Sequence, residues 1–430
     1  MTMKNTDIAQ YALEALVKAG ADKASCSVTQ GRKEEFNIEA NKFSLLRTLF
    51  NDSLSLKALH GGRKGVSIIN KLDKDSIDKA VEDCTALALS ATADDAEDIA
   101  GKAENKTFER SVAAPDMDSL FAGTKDFLEL LGNEYPKILL DSMASHFSSA
   151  QTVFVNSNGV EFRDNHSNYG FTTMFGAKDG EISTSFNYYS ADLSTLSSPF
   201  IDAGMQRTLL EEAVKSLNTR TVGEKFVGKI IVTPSCADML WGTLLDCFLT
   251  DRPLIEGTSR WKDSLGTKVA DSKLNFRLSP HHPAIIGGER FTGDGYESRD
   301  MDIIRDGILT SFVLSLYGSR KTGKPRATAF SGIEVSPGDT PLCDMIKGIS
   351  RGVLLNRFSG GSPGPSGDVS GIAKNSFLIE DGKVTDALSE TMVSFNILDI
   401  LSNIPAISAE RCQDGISVLP WCCFDGVTIS

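Results

Sequence analysis

The stretch "GKIIVTPSCADMLWGTLLDCFLTDR", residues 228–252, marks the point where the pattern of the sequence changes. Its first part, "GKIIVTP", is rich in β-branched residues and predicts a strand. Its second part, "ADMLWGTLLDCFLTDR" (237–252), predicts one compact apolar helix. Most of the sequence beyond this helix consists of strand-like runs separated by turn residues. The stretch therefore opens a β-rich C-terminal domain.

The predicted helix places an acid beside a thiol, Asp246 and Cys247, which suits a metal site, a nucleophile or simple packing. Seven residues bring Cys247 onto nearly the same side of an α-helix as Leu240. We therefore expect Cys247 to be a core thiol. Asp238 and Asp246, with Gly242 between them, fall on the polar face, which is either solvated surface or the wall of a cavity.

The regions before this stretch predict two further domains. The three predicted parts are an N-terminal α+β domain at 1–95, a middle α+β domain at 116–222 and the β-rich domain at 223–430. The segment 91–115 is small, acidic and poor in aromatic residues, and it predicts a linker. We expect an α+β fold class, in which N-terminal α/β domains are followed by a large β-rich C-terminal domain that is barrel- or sandwich-like.

Apolar periodicity and turn residues predict the elements of the first two domains. Helices are predicted near 6–19, 75–90, 117–132 and 203–217. Short strands are predicted at 24–30, 34–40, 43–51 and 53–59. A turn is predicted at 60–65, and "NSNG" (156–159) predicts a hairpin turn.

The composition is that of a folded soluble protein, because 41% of the 430 residues are hydrophobic and 23% are charged. No apolar run reaches the roughly 18 residues that a membrane crossing needs, and residues 1–20 do not have the pattern of a signal peptide. The eight cysteines contain no C-x-x-C pair, which favours reduced thiols. A net charge of −13 argues against nucleic-acid binding. We therefore expect a cytoplasmic protein that binds neither membranes nor nucleic acid.

Two familiar site patterns are incomplete in this sequence. "GSRKTGKP" (318–325) has the spacing of a phosphate loop, but Pro325 stands where a serine or threonine would bind magnesium. None of the five histidines is followed by Glu, and no two are four or five residues apart, so a helical zinc-protease motif is missing. We assign no catalytic residue and no metal ligand from these patterns.

Four strings in the last two hundred residues carry a family resemblance. They are "SRWKDSLGTKV" (259–269), "RDMDIIRDGILTSFVLSLYGSRKTG" (299–323), "SGDVSGIAKNSFLIEDGKV" (366–384) and "RCQDGISVLPWCCFDGVTIS" (411–430). In this order they resemble the TldD/PmbA family, also called modulator-of-DNA-gyrase proteins, and more narrowly its PmbA (TldE) branch. The resemblance is dense over 225–430 and looser upstream, where the three-part layout also matches.

The resemblance implies a partner and a reaction. In this family a TldD subunit and a PmbA/TldE subunit form a heterodimeric zinc metalloprotease that degrades unfolded peptides and trims leader peptides. The TldD subunit carries a His-Glu-x-x-x-His helix and a cysteine ligand, whereas the PmbA/TldE subunit lacks this set and helps to enclose the substrate. The resemblance thus implies no cofactor in this chain, zinc in a TldD-type partner, unfolded or leader peptides as substrates, and a homodimer when the chain is alone.

The resemblance also marks a degenerate zinc-helix position, which corresponds here to Gly242, Asp246 and Cys247. Both histidines and the glutamate of the family motif are missing there. The region of the family's third ligand contains three cysteines, to which no ligand role is carried over: Cys412, Cys422 and Cys423. The chain is therefore expected to be inactive by itself, although it resembles a metallopeptidase family.

Two loops, 318–324 and 361–371, are candidates for the wall of a peptide channel or for a partner contact. The family's Gly-Asp-aromatic-Ser loop corresponds to Gly367, Asp368 and Ser370, with valine in place of the aromatic residue. In the other loop, Arg320 and Lys321 either hold a peptide carboxylate or are surface cations on a turn. An extended peptide that adds to an exposed strand edge would bind with little sequence preference.

Two other classes of function remain open beside the non-catalytic protease subunit. One is a homodimeric peptide-binding module without a protease partner. The other is an independent hydrolase that uses an unrecognised site. Mixing with a TldD-type subunit distinguishes them, because only the first hypothesis predicts cleavage that appears on mixing.

Overall fold

The structure of the chain, a computed structural model, describes residues 4–111, 115–360, 363–389 and 391–430, without the side chain of Asp238. Its α-helices are α1 (Asn5–Lys18), α2 (Lys74–Ser90), α3 (Met117–Glu134), α4 (Gln206–Lys215), α5 (Pro234–Leu244), α6 (Asp251–Ile255), α7 (Leu316–Thr322), α8 (Leu342–Lys347) and α9 (Ile397–Ser402). A 3₁₀ turn lies at Phe200–Asp202 and a π-helical turn at Leu245–Leu249. The four helices predicted in the N-terminal half are confirmed by α1 to α4.

The described strands form two sheets. The first sheet contains β1 (Lys23–Glu39), β2 (Lys42–His60), β3 (Arg63–Ile69), β4 (Lys106–Arg110), β5 (Ile138–Asn156), β6 (Glu161–Asp179), β7 (Ile182–Ser183) and β8 (Asn187–Leu193). The second contains β9 (Thr219–Arg220), β10 (Phe226–Val232), β11 (Phe276–Leu278), β12 (Met301–Arg305), β13 (Ile308–Leu309), β14 (Ile333–Val335), β15 (Arg351–Leu355), β16 (Arg357–Gly360), β17 (Asp368–Lys374), β18 (Phe377–Glu380), β19 (Lys383–Leu388), β20 (Thr391–Asn396), β21 (Ala406–Gln413) and β22 (Val418–Ile429).

The first sheet joins the two stretches that the sequence analysis assigned to separate domains. Its strands run in the order β3-β2-β1-β5-β6-β4, with β7 and β8 also paired to β6. β1 pairs antiparallel with β5 from Ser25 opposite Asn156 to Glu39 opposite Ser142. The predicted boundaries 1–95 and 116–222 stay a prediction, but one continuous hydrogen-bonded ladder connects the two regions.

Strand lengths differ from the prediction. The four short strands predicted at 24–59 are wrong, because this region forms the two long strands β1 and β2. The hairpin turn predicted at 156–159 is confirmed and connects β5 to β6. The linker predicted at 91–115 is wrong at Lys106–Arg110, which form β4 and pair in parallel with β6; residues 112–114 lie outside the described part of the chain.

All four N-terminal helices cover one face of the first sheet. α1 and α2 pack at one end, against Cys26 and Val28 of β1. α3 and α4 pack at the other end, against Phe36 and Ile38. Alternate residues of a strand point to the same face. The even-numbered residues of β1 between Val28 and Phe36 therefore point to the helix-bearing face but are not covered by a helix. Gln30 and Arg32 of β1 line a polar cavity of about 530 Å³ at this place. Residues of neighbouring strands also line the cavity, among them Asp52, Gln151 and Asn165.

The second sheet is organised around β22, which pairs antiparallel with β10, β20 and β21 and in parallel with β14. Its residues Phe424, Val427 and Ile429 are buried in the largest apolar core, with Trp241 and Phe248. The expected α+β class with a β-rich C-terminal domain is confirmed. Among the residues that the structure describes, no helix combines the length and apolar character that a membrane crossing requires.

The single helix predicted at 237–252 is wrong in one respect. α5 ends at Leu244, the π-helical turn follows, and the backbone is extended at Thr250 before α6 begins. The amide of Thr250 donates to the carbonyl of Leu245 at 3.2 Å, which closes the wider turn. A π-turn shifts the register of a helix, so the residues from Leu245 onward do not continue the face that an uninterrupted α-helix would give them.

Candidate functional site

The π-helical turn is held in place by a serine and a tryptophan from a segment that follows it. The Ser259 hydroxyl donates to the carbonyl of Phe248 at 2.7 Å and accepts from the amide of Trp261 at 3.1 Å. The rings of Phe248 and Trp261 lie 5.7 Å apart at their centroids. Ser259 and Trp261 are buried, so these contacts fix the wider turn from the inside of the domain.

The glycine loop contacts the same turn. Gly367 has a φ of +83°, and a Cβ built on it would lie 3.1 Å from Phe248 Cζ and 3.1 Å from Ile397 Cγ2. Its carbonyl accepts from the amide of Ile397 at 2.8 Å. Glycine is required here for two reasons, the left-handed backbone and the close approach. The π-turn Leu245–Leu249, the segment 259–261 and the loop 363–368 thus meet at one place, which we call the π-turn junction.

Asn396, at the beginning of α9, organises the loop side of the π-turn junction. Its Nδ2 donates to the Ser366 carbonyl and to Asp368 Oδ1, both at 2.9 Å. Arg260 Nη1 donates to the same Ser366 carbonyl at 3.2 Å. The hydrogen bond from Asn396, followed by one from Ser366, lowers the pKa of the exposed Asp368 carboxyl. The loop therefore presents an ionised carboxylate at the surface.

Cys247 and Asp246 lie on the π-turn itself. The Cys247 thiol is half-buried, packs against the largest core and donates to the Pro363 carbonyl at a Sγ–O distance of 3.6 Å. Burial, and then the negative charge of Asp246, raise the pKa of this thiol. Asp246 is exposed, and a Cβ on Gly242 would meet nothing within 4 Å. Cys247 packs against the edge of the core and is only partly buried, so the core thiol expected from uninterrupted helical spacing is corrected, because the π-turn shifts the register at this residue.

The side chains at the π-turn junction do not fit a zinc ion. Within the described part of the chain, no three His, Cys, Asp or Glu side chains are grouped closely enough to hold a metal. The cysteines near the C-terminus are no substitute, because Cys412, Cys422 and Cys423 are buried in three different apolar clusters. Cys412 Sγ lies 3.8 Å from the Tyr189 hydroxyl, in the core below the first sheet. No chemical step through a metal is derived for this chain.

Arg320 and Lys321 lie in α7 rather than on a turn, and their charges are paired within the chain. Arg320 Nη1 lies 2.8 Å from Asp98 Oδ2, and Lys321 Nζ lies 2.8 Å from Asp94 Oδ2. The hydrogen bond from Lys321 lowers the pKa of Asp94 to about 2. The Arg320 and Lys321 side chains therefore join α7 to the acidic segment 94–98, where the sequence predicted a linker.

The remaining predicted position, Ser370, is on β17. Its hydroxyl is 2.8 Å from the Ser394 hydroxyl on β20; Ser370 is exposed and Ser394 is half-buried. The structure therefore brings Cys247, Gly367 and Asp368 together at the π-turn junction, while Arg320 and Lys321 belong to a separate contact. Residues 361–362 of the predicted loop 361–371 lie outside the described residues.

Sequence reasoning missed three residues of the π-turn junction, namely Ser259, Arg260 and Asn396. The first two stand in the string "SRW", which carried the resemblance but suggested no role. Asn396 precedes a short apolar run, and its Oδ1 accepts from the amide of Leu398 at 3.1 Å. An Asn before such a run is a helix-cap signal, and this signal was available in the sequence.

Comparisons with known proteins show which protein family the chain resembles. Residues 227–430 match a family model described as "PmbA/TldA metallopeptidase C-terminal domain". The chain is 22% identical over 416 residues to the metalloprotease PmbA homolog of Haemophilus influenzae, covering 93% of this chain and 90% of that protein. It is 23% identical over 400 residues to metalloprotease PmbA of Escherichia coli O157:H7, covering 89% and 84% respectively.

The fold agrees over the whole length. The crystal structure of TldE from Thermococcus kodakarensis is similar with a TM-score of 0.86 at 18% identity, covering 98% of this chain and 100% of that one. The matched C-terminal domain is thus of the PmbA/TldD metallopeptidase type. Residues 227–430 match the C-terminal domain of the PmbA/TldD family, and the resemblance inferred from the four strings is confirmed.

Proposed function

We propose that the chain is the non-catalytic, PmbA/TldE-like subunit of a cytoplasmic TldD/TldE-type zinc metalloprotease. In this role it pairs with a TldD-type subunit, which supplies the zinc, and helps to enclose unfolded peptides and leader peptides that the complex cleaves. The chain itself holds no cofactor, and it forms a homodimer when no partner is present. Its relatives over most of the chain are PmbA metalloproteases.

One observation carries the proposal. The π-turn junction is closely packed, with Gly367 against Phe248 and with Ser259 bound to the turn. Yet the position that corresponds to the zinc helix of a TldD subunit offers Gly242, an exposed acid and a packed thiol. A protein that used this place for hydrolysis would need ligands and a general base. A closely packed junction whose side chains do not suit zinc binding favours a non-catalytic partner of a catalytic subunit over an independent enzyme.

The test compares the chain alone with the chain co-expressed with a TldD-type subunit. Zinc is measured by elemental analysis, and cleavage is measured on an unfolded peptide. We expect zinc and cleavage only in the mixed complex. A complex whose TldD-type subunit has lost its own zinc motif is the control, and it should assemble without cleaving. Stoichiometric zinc together with cleavage by the isolated chain would overturn the proposal.

A second candidate is a homodimeric peptide-binding module with no protease partner. The polar cavity of about 530 Å³ on the first sheet favours it, because its amide side chains, such as Gln151 and Asn165, can hydrogen-bond to a peptide backbone. This candidate predicts peptide binding by the isolated chain and no cleavage in any mixture with a TldD-type subunit.

A further inference from the structure

A row of polar side chains crosses the first sheet in the gap between the two pairs of helices. Gln30 on β1 faces Asp52 on β2 and Gln151 on β5. Gln151 in turn faces Asn165 on β6, which faces Glu109 on β4. All five residues line the polar cavity of about 530 Å³. We call residues 30, 52, 109, 151 and 165 the polar row.

The polar row forms the floor of a groove. Neighbouring strands are about 4.8 Å apart, so the four steps from β2 to β4 cover about 19 Å. α1 lies at one border of the groove, because its first residue, Asn5, donates from Nδ2 to the carbonyl of Gln151 at 3.0 Å. α3 begins at the other border, where the amide of its cap residue Asp116 donates to the Tyr169 hydroxyl at 2.8 Å. The groove therefore runs across the strands, with a carboxylate of the polar row at each end.

The polar row interrupts strands that are apolar on both sides of it. On the same face of β1, Val28 and Phe36 are buried, and on β5 Val153 and Phe147 are buried. Exposure to solvent in a gap accounts for polar side chains, but a soluble surface usually mixes charges of both signs. The polar row contains two carboxylates and three amides instead, so exposure alone does not explain its composition.

The carboxylates at the two ends of the groove have no cationic partner. Within the described chain neither Asp52 nor Glu109 forms an ion pair, and each accepts a hydrogen bond from an amide side chain. Arg32 also lines the cavity, but its guanidinium is bound to Glu34 at 2.8 Å. Burial lowers the pKa of His166 in the wall of the cavity, so this side chain is neutral at pH 7. The groove therefore favours a ligand with positive charges at both ends.

The centre of the groove suits a peptide backbone. Gln30 Nε2 donates to Asp52 Oδ2 at 3.2 Å, and Gln151 Nε2 donates to Asn165 Oδ1 at 2.9 Å. Each glutamine amide has a second N–H and a carbonyl oxygen besides the N–H used in these bonds. An N–H beside a carbonyl oxygen is the complement of a peptide bond, which offers one acceptor and one donor.

We propose that the groove binds an extended peptide with two basic side chains about six residues apart. Its backbone lies against Gln30 and Gln151, and its cationic groups lie at Asp52 and Glu109. An extended chain advances about 3.3 Å per residue, so six residues cover the roughly 19 Å between the carboxylates. An even spacing also turns both basic side chains to the same side of the peptide.

The proposal goes beyond the proposed function, because it needs neither the π-turn junction nor a TldD-type subunit. To the second candidate function it adds the place where a peptide binds and the charge that this peptide carries.

Three labelled peptides of about twelve residues, with blocked termini, test the charge and the spacing by fluorescence anisotropy with the full chain. The first peptide has two lysines six residues apart and no other charge. We expect it to bind about tenfold more tightly than a second peptide with glutamine in place of both lysines, because two exposed ion pairs are worth roughly this factor. A third peptide with two adjacent lysines has the same charge but reaches only one carboxylate, and it should bind less tightly than the first. Equal affinity for the first two peptides would overturn the proposal.

Substitutions in the chain test the place. Asp52→Asn and Glu109→Gln remove a charge and keep an acceptor for the neighbouring amide, so each should weaken binding of the first peptide about threefold and leave the glutamine peptide unchanged. Glu224→Gln is the matched control, because Glu224 is exposed before β10, and it should leave binding of all three peptides unchanged.

Two results with these variants would overturn the proposal. One is binding of the first peptide that neither Asp52→Asn nor Glu109→Gln weakens; this result would still allow peptide binding elsewhere, as the second candidate function predicts. The other is binding of spermidine, weakened by Asp52→Asn, without binding of any peptide, which would make a free polyamine the occupant. None of these readouts needs zinc or cleavage, so failure here leaves the protease proposal to its own test.

Discussion

Gly367 is the residue on which the packing of the π-turn junction depends. Gly367→Ala adds a Cβ that is 3.1 Å from Phe248 and Ile397 at a φ of +83°. Left-handed backbone costs a non-glycine residue roughly 1–2 kcal/mol, and the crowding adds to this. We expect the free energy of unfolding to fall by about 1–3 kcal/mol, measured by chemical denaturation.

Gly242 provides the matched control for this substitution. It lies in α5, and its added Cβ would meet nothing within 4 Å. Because alanine is favoured over glycine in a helix by about 1 kcal/mol, Gly242→Ala should leave the free energy of unfolding unchanged or raise it. If both variants lose the same stability, the argument from the close approach of the Gly367 loop is wrong.

Glu212 on α4 is a buried carboxyl that connects the two sheets. Asn356, between β15 and β16, donates to Glu212 Oε2 at 2.7 Å. Burial raises the pKa of Glu212 to about 7, partly opposed by this hydrogen bond. Between the usual pKa of a glutamate and about 7, the folded chain keeps a proton that the unfolded chain releases. The contribution of this residue to stability is therefore lost as the pH rises through that window.

Glu212→Gln removes this titration and keeps an acceptor for Asn356. Since one pKa unit corresponds to about 1.4 kcal/mol, we expect the variant to be more stable than the unmodified chain at pH 8 by on the order of 2 kcal/mol, and similar at pH 5. Denaturation midpoints across this range give the measurement. Glu211 is exposed, so Glu211→Gln should show no such pH-dependent difference. A constant difference between Glu212→Gln and the unmodified chain at all pH values would contradict the prediction.

At the scale of elements, the contact between α7 and the segment 94–98 joins the C-terminal domain to the first half of the chain. Asp98 binds both Arg320 and Lys23, at 2.8 and 2.6 Å. Arg320 is 44% exposed, so solvent screens the pair. A double-mutant cycle of Asp98→Ala and Arg320→Ala should give a coupling energy of about 0.5–1 kcal/mol, decreasing with added salt.

The exposed pair Lys79–Asp83, four residues apart on α2, is the control for that cycle. Such helical pairs contribute about 0.3–0.5 kcal/mol. A coupling energy between Asp98 and Arg320 that does not exceed this value would mean that the contact holds α7 no more firmly than two surface side chains hold each other.

Helix and strand predictions succeeded or failed for identifiable reasons. The start of α2 is marked in the sequence, because Asp73 accepts from the amide of Ser76 at 3.0 Å as an N-cap. The prediction divided β1 in two at residues 31–33, where the sequence is "GRK" and contains no apolar residue. These residues remain in the strand because they pair with both β2 and β5, and Gln30 and Arg32 line the polar cavity in the gap between the two pairs of helices. α7 has a serine cap and Gly323 at its end, but seven residues are too few to show a helical period.

At the scale of the whole molecule, the sequence indicates the class but not the assembly of the site. The four strings placed Gly367 and Asp368 in a family loop and Cys247 on a helix, yet their meeting at the π-turn junction depends on Ser259 and Asn396. These contacts join positions far apart in the sequence. Periodicity and spacing carry information about neighbours along the chain, so they cannot supply such contacts, and a π-turn has no sequence signature of its own.

The shared first sheet leads to a prediction for fragments of the chain. A fragment of residues 1–95 contains β1 but lacks β5, its partner from Ser25 to Glu39. It would expose a long strand edge and the apolar residues that α1 buries with Val153 and Val155. We expect this fragment to show no cooperative thermal unfolding, because ordering its backbone costs about 1–2 kcal/mol per residue and too little apolar surface is buried in return.

A fragment of residues 1–222 is the matched control, since it contains all eight strands of the first sheet and the helices α1 to α4. It should unfold cooperatively, although less stably than the full chain, because Cys412 and Trp421 also pack in the core below this sheet. Circular dichroism during heating distinguishes the two fragments. Cooperative unfolding of 1–95 by itself would show that the ladder between β1 and β5 joins two independently stable domains, whereas its absence makes the N-terminal half of the chain a single folding unit built on one sheet.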